Sequence, residues 1–178
     1  MRPAHWERLI MPAILMGVTI TCVQLAYWSG WRINLTESEP LGIYRLTPVY
    51  GVVNRGALVE FCPPANVTPE KFPFYMRGNC PAAGMPMFKV VAGVPGDHVH
   101  VDMNGVWING QRLPFSQQRI GSNKFPSIRL PHQHGDFILG TNEYWIYGSG
   151  ATQDLAAQSF DSRYWGAIYG SMIRYVLR

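Results

Sequence analysis

The sequence predicts a mainly β domain tethered by one N-terminal transmembrane helix. Three observations carry that prediction. Residues 9–31 contain no charged side chain. The rest of the chain breaks into short apolar runs divided by Gly, Pro and Asn turn signals, and several of those runs alternate with the period of two expected of strands. At 178 residues and 47% hydrophobic content, the chain holds one moderate domain with a core of its own and no second one. Only 15% of residues are charged, and part of the apolar excess lies in the N-terminal block. The net charge is +4, yet the arginines are scattered and Lys71, Lys89 and Lys124 stand alone. No basic stripe forms, so no nucleic-acid partner is expected.

Residues 9–31 are long enough to cross a hydrocarbon core ~30 Å thick as a helix. Pro12 falls in the first turns, where a missing amide does least harm, and Tyr27, Trp28 and Trp31 cluster where the chain would leave the bilayer. Tyr27 and Trp28 occupy the positions where a small-x-small cleavage site would follow, so the segment reads as an uncleaved anchor. Arg2 and Arg8 before the span, set against Arg32 and Arg45 after it, favour the N-terminus inside. The expected division is a short cytoplasmic stretch at 1–8, an anchor in the lipid bilayer at 9–31, and an exported domain at 32–178.

After the anchor, Thr, Ser, Pro and Gly predict a turn with Ser38 at its bend, leading to an extended segment at Ile43–Leu46. Ala57–Cys62 reads as a strand. Pro63–Pro86 reads as a long connection with at most a short helix near Pro69–Tyr75. Met87–Gly93 is an apolar strand stopped by the Val94-Pro95-Gly96-Asp97 turn. A β-meander follows: His98–Asp102, the Asn104-Gly105 hairpin, Val106–Ile108, and a second turn at Asn109-Gly110. Residues 114–135 carry loop chemistry and read as a long loop or insertion, with Ser127–Leu130 as a short strand inside it. Asp136–Leu139 and Glu143–Tyr147 are two more strands. Gly148–Asp154 is a polar loop, and Ile168–Val176 is a final apolar strand.

Within the Met87–Gly93 run, alternation puts Met87, Lys89 and Val91 on one face, and Phe88 and Val90 on the other. Both faces are apolar. Bringing a lysine from its ordinary value near 10.4 to about 7 takes roughly 4–5 kcal/mol of lost solvation, and the neutral amine that results is a general base. The competing reading is a strand-end lysine that snorkels to water. A neutral amine needs a hydroxyl to deprotonate, and Ser38, on a tight turn where its oxygen and its own amide face one point, fits. Its competing reading is an ordinary turn hydroxyl.

The histidines supply a rival chemistry. His98 with His100, and His132 with His134, would each share a face if extended, with Asp97, Asp102 and Asp136 near them in sequence. Solvated side chains in loops and hairpins are the favoured reading, and no metal or cofactor is expected. Cys22 is read as a packing residue of the span. Cys62 and Cys80 flank the Pro-rich connection. They are either two free thiols or, in an oxidising compartment, a disulfide that closes that loop.

Three separated blocks carry a resemblance. Thr36-Glu37-Ser38-Glu39-Pro40-Leu41-Gly42-Ile43-Tyr44 resembles the nucleophile box of membrane-bound type I signal peptidases, Lys89–Asp97 resembles their lysine box, and Ser159-Phe160-Asp161-Ser162-Arg163-Tyr164-Trp165-Gly166 resembles their C-terminal box. The short spacing from Ser38 to Pro40, with Gly42 and Tyr44, is closer to the TraF-type peptidases of conjugative transfer. The resemblance implies a signal-peptidase-like β-fold and a Ser/Lys dyad, with Ser38 the nucleophile and Lys89 the base. By the same resemblance Asp161 counts with the catalytic residues, Arg163 is its partner, Ser159 orients the lysine, and Thr36 with the Ser38 amide holds the oxyanion. The Gly-Asp-Asn element of general signal peptidases stands here as Gly148-Ser149-Gly150, without its aspartate.

The implied function is a bacterial inner-membrane, single-pass serine endopeptidase with its catalytic domain on the periplasmic side. The implied substrate is a membrane-associated precursor, a conjugative pilin precursor, released by hydrolysis or as a cyclic product. Other proteins of the conjugation apparatus are candidate partners. The alternatives are a general type I signal peptidase, and a non-catalytic or metal-binding periplasmic component of a transfer apparatus.

Overall fold

The computed structural model describes residues 7–34, 38–122, 125–150 and 152–178. It begins with α1 (Glu7–Trp28), which contains Pro12. Within it Leu9–Trp28 form 20 residues long and apolar enough to cross a membrane, and none of that stretch is buried in the rest of the protein. The Thr19 and Thr21 hydroxyls donate back to Leu15 O at 2.8 Å and Gly17 O at 2.9 Å, so neither brings an unpaired polar group into lipid. The helix stops at Trp28, before the expected end of the span at Trp31. Gly30, at φ +90°, turns the chain there; its carbonyl accepts from Leu46 N at 2.8 Å, and Trp31 already opens a strand.

Among the described residues two antiparallel sheets form. The strands are β1 (Trp31–Asn34), β2 (Gly42–Pro48), β3 (Leu58–Phe61), β4 (Met87–Gly93), β5 (His98–Asp102), β6 (Gly105–Ile108), β7 (Gln111–Arg112), β8 (Gly135–Ile138), β9 (Glu143–Tyr147), β10 (Ile168–Tyr169) and β11 (Ile173–Leu177). The larger sheet has the order β1-β2-β11-β3-β4-β9-β10, and the smaller one β7-β6-β5-β8. The protein is mainly β with one N-terminal apolar helix, as the alternation predicts.

Two clusters fill the sheets. Val59, Phe61, Val91, Ile146, Ile168 and Ile173 pack one side of the central strands. Val99, Val101, Val106, Ile108, Leu139 and Trp145 join the small sheet to the far ends of β4 and β9. The turn that ends β4 is fixed by Asp97, whose carboxylate accepts from Val94 N at 2.7 Å, Arg55 Nη2 at 2.6 Å and Asn109 Nδ2 at 2.9 Å, while Gly96 supplies the positive φ of +88°.

The connection at Pro69–Tyr75 is turns without a helix, within the expected limit, and packs through Phe72 and Tyr75 onto Leu130 and Tyr164. Three local expectations are revised. Ser127–Leu130 is not a strand; among the described residues the loop makes an isolated bridge, Gly121 to Arg129. Gln118 instead pins this loop, donating to Asp102 O and Gln133 O and accepting from Gln133 N. The Gly148–Asp154 loop runs into a short helix, α2 (Gln153–Gln158), capped by Thr152. The final apolar run is broken at Gly170, where a Cβ would stand 2.3 Å from Asn142 Oδ1, so β10 pairs with β9 and β11 leaves for β2 and β3.

Cys62 and Cys80 are bonded, which decides between the two readings of this pair. Closing a loop of this length stabilises the fold by about 3 kcal/mol in the chain-entropy account.

Candidate active site

β4 delivers Lys89. Its alternation holds as expected: Lys89 (4% exposed) and Val91 (0%) point inward, while Phe88 and Val90 are only half-buried. Lys89 stands opposite Val59 of β3 and reaches Gly148, at the end of β9. Its Nζ lies 3.0 Å from the point where a Gly148 Cβ would be, and Ser159 Oγ lies 1.7 Å from the same point. The amine and the hydroxyl therefore both border the space that a Gly148 side chain would fill. Ser159 Oγ is buried with no hydrogen-bond partner among the described residues. Burial lowers the pKa of Lys89 below the ordinary lysine value; the charges of Asp161 and Glu39 oppose that fall and Arg163 adds to it.

Ser38 arrives on the turn between β1 and β2. Its carbonyl accepts from Gly150 N at 3.1 Å, while Asn34 Nδ2 donates to Glu39 O at 3.1 Å and Pro40 O at 3.0 Å. The Tyr44 hydroxyl closes the turn on Pro40 O at 2.7 Å. Ser38 and Lys89 line one cavity of about 840 Å³, whose walls include Phe74, Met87 and Phe160 together with Tyr27, from the end of α1, and Arg32 of β1. The disulfide ties down the segment that carries Phe74. Thr36 lies outside the described residues.

Asp161 and Arg163 form the framework behind the amine. Both side chains are 0% exposed. Asp161 Oδ1 accepts from Arg163 N and Nε at 3.1 and 2.8 Å, and Oδ2 from Arg163 Nη2 and Gly148 N at 2.8 and 2.9 Å, so its acceptor positions are filled. The guanidinium also donates to Phe115 O, Gln117 O, Ala156 O and Ser159 O. One arginine thus gathers the 114–118 loop, α2, Ser159 and Asp161 around Gly148.

The sequence reading missed Glu39 as a member of this group. Its side chain is 0% exposed and binds Ser149, so a second carboxylate is present although residue 149 does not supply it. The visible signal was an acid directly after the serine together with an aspartate missing from 148–150. None of the described histidines lines the cavity that holds Ser38 and Lys89, and His132 Nε2 lies 3.1 Å from Arg119 O. His98 and His100 lie against Asp136, at 3.8 and 2.9 Å, on the small sheet, and among the described residues no group of three or more metal-ligating side chains gathers.

Residues 4–174 match the model of the signal peptidase, peptidase S26 family. A plasmid transfer protein TraF of Escherichia coli is 31% identical over 176 residues, covering 97% of this chain and 94% of that protein. A second Escherichia coli plasmid transfer protein TraF is 34% identical over 171 residues, covering 93% and 91%. A conjugal transfer protein TraF of Agrobacterium tumefaciens is 32% identical over 152 residues, covering 80% and 77%. A crystal structure of a signal peptidase I from Enterococcus faecalis covers 71% of this chain and 97% of that chain, with 21% identity and a TM-score of 0.37.

Proposed function

The chain belongs to the signal peptidase S26 family, and on that premise we propose that it is a membrane-anchored serine endopeptidase with a Ser38/Lys89 dyad that processes an exported precursor in conjugation. Ser38 Oγ attacks the scissile carbonyl as neutral Lys89 takes its proton. The Ser38 amide, with Thr36, stabilises the oxyanion, each donor being worth roughly 3 kcal/mol. The C–N bond then breaks, Lys89 returns the proton to the leaving amine, and the acyl-enzyme passes to water or to an amine of the substrate itself. Ser159 orients Lys89; Asp161 and Arg163 support both. The substrate is a membrane-associated pilin precursor, and anchoring enzyme and substrate in one plane raises their effective concentration. The Cys62–Cys80 bond supports a periplasmic domain, because disulfides persist in oxidising compartments.

The observation that carries this reading is the buried Lys89 amine bordering, with Ser159, the space at Gly148, on the wall of the cavity that Ser38 also lines. Ser38→Ala is expected to abolish cleavage of a synthetic precursor peptide with a membrane-spanning leader, in detergent micelles, while the protein still inserts and folds. Because Lys89 acts neutral, the wild-type rate should fall as pH drops through its depressed pKa; full cleavage by the alanine variant would refute the dyad. Gly148→Ala places a methyl group on Ser159 Oγ and Lys89 Nζ, and should lower the cleavage rate ~100-fold without changing expression. A normal rate there would show that the amine and hydroxyl do not work together.

A further inference from the structure

The dyad leaves the fully buried acid Glu39 without a task. Glu39 Oε1 accepts from the Ser149 backbone N–H at 3.1 Å, and Oε2 accepts from the Ser149 hydroxyl at 2.6 Å. The second distance lies in the range of a hydroxyl bonded to an anion. Ser149 follows Gly148, against which Lys89 Nζ packs, and precedes Gly150, whose N–H holds Ser38 O. The charge of Asp161 is matched by the bidentate Arg163, whereas Glu39 forms no ion pair among the described residues.

A buried amine without a nearby anion becomes too weak a base to take a serine proton, and a neighbouring negative charge restores its basicity. Resting on the Ser38/Lys89 reading, we propose that Glu39 is a positioning residue: held by Ser149, it seats a negative charge beside the Lys89 amine and ties the Ser38 turn to the segment on which that amine packs. The charged or titratable groups around this pair are Asp161 and Arg163, at the start of α3 (Ser162–Trp165), and Tyr147 from β9. Burial raises the Glu39 carboxyl above its ordinary value, and the Ser149 bonds and Lys89 oppose that rise.

The test reads Lys89 directly. The chain has three lysines, so ε-13C-lysine labelling of the whole protein in detergent micelles resolves each titration, with Lys89→Met identifying the signal. Glu39→Gln keeps the side-chain shape and removes the charge. It is expected to move the Lys89 midpoint down by about one unit, and the acid limb of peptide cleavage with it. Ser149→Ala removes only the hydroxyl donor and should shift the midpoint the same way by less. Glu39→Gln decides if it folds, and Ser149→Ala decides otherwise; a midpoint that does not move in the deciding variant means a packing role and overturns the proposal. An ordinary lysine titration in the wild type, or cleavage by Ser38→Ala, would instead overturn the dyad itself.

Discussion

Lys89→Met is expected to lower peptide cleavage by at least ~1,000-fold while the protein becomes as stable as the wild type or more so. On the proposed Ser38/Lys89 dyad, the rate loss follows from removing a general base, worth ~100- to 10,000-fold, from a pair whose members act as a unit. The stability gain follows from burial. Methionine matches the length of the lysine stem, and an apolar side chain in a 4%-exposed site carries no desolvation cost. Because the folded pKa of Lys89 is lowered, the unfolded chain binds the proton more readily between that value and the ordinary lysine value near 10.4. Wild-type stability therefore rises with pH across that window, and below it carries the whole penalty; the methionine variant lacks this slope. Urea unfolding of both proteins in micelles at neutral pH and near pH 10 measures the difference. Retained cleavage, or a wild type that loses stability relative to the variant as pH rises, contradicts the assignment.

Arg163→Leu is expected to cost about 3–5 kcal/mol, enough to lower the melting temperature by about 10 °C. The change leaves the Asp161 carboxylate buried without its cation and removes the donors to Phe115 O, Gln117 O, Ala156 O and Ser159 O together. Asp161→Asn should cost less, since it keeps the shape and the acceptor for Gly148 N. The double variant should cost less than the two single changes added together, because the partners are removed as a pair. Strict additivity in thermal unfolding would mean that the two side chains do not depend on each other. Cleavage should fall in each single variant through displacement of Gly148 and Ser159, and the acid limb of the remaining activity should move with Lys89, down in Asp161→Asn and up in Arg163→Leu.

The Lys89 strand could be read from the chain because its signals are local: the alternation is internal to seven residues, and the Asp97 turn that stops it is closed by Val94, three residues away. The face of Lys89 followed from the same period. Glu39 could not be assigned a task that way, because its partner Ser149 is 110 residues distant and nothing near either residue announces the other. The cysteine pairing stayed open for a related reason: spacing permits the bond, but only the packed positions of β3 and the 63–86 connection decide it. α2 is six residues long with a single Thr152 cap, too short for a period to register. The interruption of the last apolar run at Gly170 depends on Asn142, which a scan for alternation cannot see.

The order of the larger sheet carries a consequence for timing. β1 and β2 flank Ser38, and β3 and β4 hold Lys89, yet among the described residues these two hairpin-like halves share no ladder; β11 lies between them and bonds to both. Synthesis of everything up to residue 172 therefore leaves the halves unstitched, and contacts of such long sequence separation form late in folding. A sheet wired this way brings its two halves into one piece only when β11 docks between them.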